Sequence, residues 1–189
     1  MAKVSIIGTG TWGIALGMVL AQNGHEVTAW SALPKEIEAL RESYTCKNLP
    51  GVEIPRSIVF TADLQEACTD KEMLVLSVPS VFTRGVAKQM NPFVKEGQLI
   101  VSVAKGIEEK TLMTMSQQIE EELPMANVAV LSGPSHAEEV SRGIPTTVVA
   151  GAKDRQTAEH IQNLFMSSVF RVYTCLLYTS PSPRDQRGS

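Results

Sequence analysis

Aromatic residues are scarce: phenylalanine, tryptophan and tyrosine together make up 5% of the 189-residue chain. They are not interleaved with a basic stripe, and 17 Lys plus Arg stand against 20 Asp plus Glu for a net charge of −3. A nucleic acid is therefore excluded as the principal partner. Cysteine is equally thin. Cys46, Cys68 and Cys175 are far apart and odd in number, with no CxxC or Cys/His spacing, which excludes a disulfide scaffold and gives no zinc motif. Apolar runs are short. None approaches the roughly 18 residues that span a bilayer, and the run before Gly8 is too brief for a signal peptide. The expectation is a cytoplasmic protein with reduced thiols and no membrane segment.

What is present describes an ordinary core-former, with 43% hydrophobic and 20% charged residues. At about 150 residues per domain, the length allows one domain and the start of another. Short apolar runs at Val4–Ile7, Val27–Trp30, Met73–Val78, Leu99–Val103, Val128–Leu131, Thr146–Ala150 and Val169–Val172 predict strands. Helical spacing falls between them: behind Gly13, from Pro34, and over 81–90, 110–122 and 155–165. Residues 44–56, with Pro50, Gly51 and Pro55, form an irregular connection. Strands buried on both faces and joined by helices require a mostly parallel sheet with helices on both faces, an α/β Rossmann-like fold. The acidic run Glu120-Glu121-Glu122 is a solvated helix face rather than a metal site.

Gly8-Thr9-Gly10-Thr11-Trp12-Gly13 follows the first strand and opens the first helix, the context that gives GxGxxG its meaning. Gly8 makes the tight turn, and Gly10 leaves no Cβ between backbone and pyrophosphate. Gly13 and Ala15 let the helix approach the sheet, and its amino end receives the anion. Trp12 either packs beneath the loop or touches the cofactor beside Thr11. An acid at the end of the second strand would bind the ribose hydroxyls, but the chain there is Trp30-Ser31-Ala32, and Glu26 lies at the wrong end. Ser31 suits either a hydroxyl or a phosphate, Lys35 and Arg41 are candidate ligands for a 2′-phosphate, and NAD and NADP both stay open.

Further strand ends supply candidates for substrate chemistry. Ser77-Val78-Pro79-Ser80 lies near the expected nicotinamide end, where Phe82 is assigned to the core in preference to shielding the ring. Lys105, between a strand and Gly106, can attract a phosphate, hold a carbonyl oxygen or donate a proton. Ser132-Gly133-Pro134-Ser135-His136-Ala137 forms a close-approach loop whose amides can meet a phosphate. His136 and Glu139 are a weaker acid/base pair, and Ser135 lacks the elbow motif of a nucleophile.

Together the stretches GTGTWGIAL, NGHEVTAW, NLPGVEIP, VLSVPS, VAKGIE, LSGPSHAEEV and GIPTTVVA, in this order, resemble bacterial NAD(P)-dependent glycerol-3-phosphate dehydrogenase. The resemblance covers residues 3 to about 174 and implies an NAD- or NADP-dependent oxidoreductase. Its substrates would be dihydroxyacetone phosphate and sn-glycerol 3-phosphate, the latter a precursor of glycerophospholipids, and the intact parent would be a homodimer. It implies cofactor contacts at Gly8, Gly10, Thr11, Trp12, Gly13, Lys105 and Ala137, and substrate contacts at Lys105, Gly133 and Ser135. Many family members carry an arginine just after the second strand, where this chain has Ala32.

The departure comes after Thr174. The resemblance implies that a helical substrate domain follows and carries the principal proton-transfer lysine, leaving Lys105 a supporting catalytic role. Residues 175–189, CLLYTSPSPRDQRGS, contain no lysine and read as a scar or sequence-assembly artefact. The expected organisation is thus a dinucleotide-binding domain over 1–174 and an anomalous tail, with the substrate domain absent. Two other readings stay open: a catalytically inactive dinucleotide-binding protein, and another Rossmann-fold hydroxyacid or sugar-phosphate dehydrogenase. The joint VAKGIE and LSGPSHAEEV stretches argue against both for the parent.

Overall fold

The computed structural model describes residues 1–177. Eight strands form one sheet: β1 (Lys3–Ile7), β2 (Glu26–Trp30), β3 (Val59–Thr61), β4 (Met73–Leu76), β5 (Leu99–Ser102), β6 (Asn127–Ser132), β7 (Thr146–Ala152) and β8 (Phe170–Leu176). Their spatial order is β3-β2-β1-β4-β5-β6-β7-β8. All neighbours are parallel except β6 and β7, which pair antiparallel through Val130↔Gly151 to Ser132↔Val149. The chain thus runs outward from β1 through β2 to β3, then returns to lay β4 on the other side of β1. That reversal opens a crevice at the carboxyl ends of β1 and β4, where open α/β sheets take their ligands.

Seven helices cover the two faces: α1 (Thr11–Gln22), α2 (Pro34–Ser43), α3 (Leu64–Cys68), α4 (Thr83–Met90), α5 (Met115–Glu122), α6 (Ala137–Ser141) and α7 (Arg155–Phe165). Successive strand residues point to opposite faces, so the central strands feed two cores. Ile6, Val75 and Val101 pack with Ile14, Leu16, Ile161 and Phe165 of α1 and α7. Ile7, Leu74, Leu76 and Ile100 pack instead with Val86, Met90 and Ile119 of α4 and α5. Local chemistry sets the helix starts. Pro34 opens α2, the Asp63 carboxylate accepts from the amides of Gln65 and Glu66 to open α3, and the Asp154 carboxylate accepts from the Thr157 amide at 2.7 Å to open α7.

Three differences from the sequence reading have physical causes. The short strand β3 and helix α3 arise within 57–69, where three strand residues and five helical ones are too few to show a period. The helix expected over 110–122 begins only at Met115, because Leu112 is held at φ +60° and Thr114 and Gln117 form a reciprocal capping box. The last strand continues to Leu176, so Cys175 is paired with Gly151 of β7. The tail assigned to 175–189 otherwise lies outside the described residues from 178 onward. All three thiols are free, and burial pushes that of Cys68 up to about 12. Among the described residues, no helix is long and apolar enough to cross a membrane.

The acidic run on α5 is not merely solvated. Glu121 and Glu122 accept hydrogen bonds from Arg84 of α4 at 2.7 and 2.9 Å, while Glu108 takes two more at 2.8 Å. One guanidinium therefore fastens α4, α5 and the loop after β5. Arg84, followed by the Thr111 hydroxyl, holds the Glu108 carboxyl down at about 2. A depressed carboxyl stabilises the fold above its unfolded value of roughly 4.3 and loses that contribution as pH falls toward 2. Replacing Arg84 by Met should lower the melting temperature at pH 7 by on the order of 2–4 °C. Calorimetric scans at descending pH should show the gap between variant and parent closing below about pH 4.

Candidate functional site

The turn between β1 and α1 is built around close backbone approaches. Gly8 sits at φ +118°, a conformation that L side chains rarely adopt, and its amide donates to the Trp30 carbonyl at 2.9 Å. A Cβ on Gly13 would lie 2.2 Å from the Gly8 carbonyl oxygen and 2.5 Å from Ser77 Oγ. Ser77 in turn donates its hydroxyl to the Gly8 carbonyl at 2.8 Å, so β4 clamps the turn. Gly10 is different: a Cβ there would meet nothing within 4 Å, and its φ of −62° is open to any residue. The space beside Gly10 is free for a ligand. Gly10 is also the N-cap of α1 and offers no side-chain acceptor to the first-turn amides, and that turn holds no acidic residue. A helix end of this kind favours an anion. Thr9 adds a second sign, because its hydroxyl is buried and has no hydrogen-bond partner.

A pocket of about 570 Å³ opens beside the turn between the ends of β2 and β4. Gly8 to Gly10 form its floor, Trp30 to Leu33 with Glu36 one wall, and Ser77 to Pro79 with Val81 and Phe82 the other. Ser31 is buried and donates its hydroxyl to the Glu36 carboxylate, while its oxygen accepts from the Leu33 amide at 3.2 Å. The first turn of α2 therefore places a carboxylate, Glu36, beside the end of β2. Sequence reasoning overlooked it because the acid was sought along one strand. The available signal was Pro34, which fixes where α2 begins and so which residue its first turn swings back toward Ser31.

On the other side of α1's amino end lies a second cleft. Thr11, Trp12, Lys105, Ser135, His136 and Ala137 line it, with Val103 and Glu138. Lys105 donates from Nζ to the Gly133 carbonyl at 3.0 Å, and Ser135 lies at the same carbonyl at 3.5 Å. Gly133 has its own reason to be glycine, since a Cβ would lie 2.7 Å from the Thr147 carbonyl oxygen of β7. Gly106, at φ +129°, turns the chain after Lys105 past Ser80. Ala137 is buried at the start of α6, beneath the cleft.

The expected residues thus gather around one helix terminus: Gly8 and Gly10 face the first pocket, and Thr11, Trp12, Lys105, Ser135 and Ala137 the second. Gly13 lies underneath as packing, and Gly133 joins through its carbonyl. Trp12 is partly buried against the core, as its packing reading expects, and also lines the cleft. Several candidates fall elsewhere. Phe82, assigned to the core, is 60% exposed, because Ser80–Phe82 form a 3₁₀ turn that carries its ring to the pocket rim. Arg41 donates to the Phe60 carbonyl from Nε and Nη2 at 3.0 and 2.6 Å, which commits it to bracing β3, and Lys35 does not line the pocket. His136 reaches the cleft, but Glu139 does not line it and Glu138 does, one position earlier on α6.

The parallel sheet, its reversal between β1 and β4 and the glycine turn at that reversal make this a Rossmann-like domain. The family model described as NAD-dependent glycerol-3-phosphate dehydrogenase N-terminus matches residues 3–158, and the chain belongs to that family. It is 60% identical over 175 residues to glycerol-3-phosphate dehydrogenase (NAD(P)+) of Agathobacter rectalis, covering 92% of this chain and 52% of that protein. Against the enzyme of the same name from Fusobacterium nucleatum, identity is 51% over 177 residues, covering 92% and 53%. The chain spans about half the length of the curated relatives it matches. The crystal structure of glycerol-3-phosphate dehydrogenase from Coxiella burnetii superposes with a TM-score of 0.86 at 27% identity, covering 92% of this chain and 54% of that one. A pyrroline-5-carboxylate reductase from the same organism, at 14% identity, TM-score 0.69 and coverages of 92% and 58%, shares the fold alone.

The two glycines separate structural need from ligand access. Gly13→Ala should destabilise the domain by about 1–3 kcal/mol through overpacking, whereas Gly10→Ala should leave unfolding within about 0.5 kcal/mol. Urea titrations of both variants check this, and equal losses would contradict the assignment of Gly10 to open space.

Proposed function

We propose that residues 1–174 of this chain are the dinucleotide-binding half of an NAD(P)H-dependent reductase. The parent interconverts dihydroxyacetone phosphate and sn-glycerol 3-phosphate. The observation that carries the reading is Lys105 Nζ, anchored on the Gly133 carbonyl across a cleft from Thr11 and Trp12. That places one cation beside the helix terminus that would hold a pyrophosphate. The residues fit a dinucleotide: Gly10 leaves room for phosphate oxygens, the orphaned Thr9 hydroxyl lacks a partner, and the first-turn amides of α1 are uncapped by any side chain.

When bound, the cofactor supplies the hydride. The work of this chain is electrostatic and positional. As the substrate carbonyl is reduced, negative charge grows on its oxygen, and the Lys105 ammonium is positioned to hold that charge or the substrate phosphate. Gly133 and Ser135 shape the substrate side of the cleft, and the buried methyl of Ala137 lets the cofactor approach the start of α6. The anchor on Gly133 restricts the long lysine side chain, so less motion must be frozen when substrate arrives. The proton-transferring lysine is assigned to a helical domain outside residues 1–174, and Lys105 supports it. Three free thiols accord with a reducing cytoplasm, where the product would serve glycerophospholipid synthesis.

Calorimetric titration of the 189-residue chain with NADH should give saturable one-site binding. Absence of binding to both NADH and NADPH by folded protein would overturn the reading. In the parent reductase, Lys105→Met should lower kcat/KM for dihydroxyacetone phosphate about 10²–10³-fold, as loss of a charge-stabilising donor does. Steady-state oxidation of NADH reports that loss.

A further inference from the structure

The pocket between the ends of β2 and β4 carries an asymmetry of charge that bears on which dinucleotide enters it. Among the described residues lining it, Glu36 alone has an ionisable side chain. No lysine or arginine faces the cavity. Arg41 is bonded to the Phe60 carbonyl, Arg84 beside the lining residue Gly85 is bonded to Glu108, Glu121 and Glu122, Arg56 stacks 5.0 Å above the Tyr44 ring, and Lys35 and Lys88 do not contribute to the lining. Ala32 stands at the lip just beyond β2 and has no hydrogen-bonding side chain.

Glu36 is also held. It occupies the first turn of α2, where the helix dipole favours a carboxylate. The buried Ser31 hydroxyl donates to one of its oxygens, which fixes the carboxylate beside the carboxyl end of β2. Oε2 of the carboxylate takes the Ser31 hydroxyl, and Glu36 lines the cavity. In a Rossmann-like sheet, the adenosine ribose lies at this strand end, with its 2′ position toward whatever terminates β2.

We infer that Glu36, positioned by Ser31, is the ribose acid of this domain and selects NADH over NADPH. The inference rests on the dinucleotide reading above. A free 2′-hydroxyl donates to the carboxylate. A 2′-phosphate cannot donate in the same way, carries close to two negative charges, and meets a fixed anion with no cation to offset it. Selectivity therefore arises as much from repulsion of one dinucleotide as from attraction of the other.

The test is direct binding to the full chain, read by calorimetry and by the fluorescence of Trp30 in the pocket wall. NADH should bind at least about tenfold more tightly than NADPH in low salt, and the ratio should shrink as added salt screens the repulsion. Glu36→Gln keeps an acceptor for Ser31 and removes the charge, so the ratio should fall to within about threefold. Adding Ala32→Arg to that variant should invert the preference. Equal affinity in the unaltered chain, or an unchanged ratio in Glu36→Gln, overturns the inference while leaving dinucleotide binding intact. Failure of folded protein to bind either dinucleotide overturns both. The unaltered chain and its salt dependence decide the matter even where a variant folds poorly.

Discussion

The approach of helix α1 to the end of β1 is the constraint on which the rest of the molecule depends. Gly13 has no room for even one carbon against the Gly8 carbonyl and Ser77. Because α1 sits that low, its uncapped amino end lies at the sheet's crevice, with Gly10 lining one pocket and Thr11 and Trp12 the other. Ser77 contributes from the neighbouring strand by bonding to the same carbonyl that Gly13 must clear. Three chain segments thus share one contact, and the geometry of the helix terminus is inherited from core packing rather than from flexible side chains.

The two pockets divide their labour by charge. On the β2 side, the lining offers apolar walls and one fixed carboxylate. On the β5 and β6 side, the lining offers the Lys105 ammonium and the polar Ser135. The helix terminus between them supplies a partial positive charge to whatever bridges the two. Away from both, Arg84 gathers three carboxylates that would otherwise repel one another, so the acidic surface of α5 becomes a clasp between helices.

Much of this was legible in the residues themselves. The sheet strands β1, β2, β4, β5, β6 and β7 announce themselves as apolar runs, and α7 spans 155–165 as its spacing indicates. Gly8, Gly10 and Gly13 could be given separate roles because turn, ligand approach and packing make different demands on the same residue type. What escaped was either too short for periodicity or distributed between elements. β3 has only three residues, with Val59 exposed and both Phe60 and Thr61 buried, so it shows no period. The Thr114–Gln117 capping box was present in the sequence but lay inside a longer helical pattern. Glu36 belongs to a helix and lies at the end of a strand, a relation that no linear spacing rule encodes. Phe82 was misplaced because an aromatic near a strand end has no local mark that distinguishes rim from core.

Gly133 has one more implication. Its carbonyl carries Lys105, while its Cα is wedged against the backbone of β7 at Thr147 and Val148. β7 is in turn laced to β8 along seven consecutive register pairs, Thr146↔Phe170 to Ala152↔Leu176. The position of the cleft's one cation is therefore geared to the far edge of the sheet. A pull or twist applied along that edge would be delivered, through a rigid ladder rather than a loop, to the ammonium group itself.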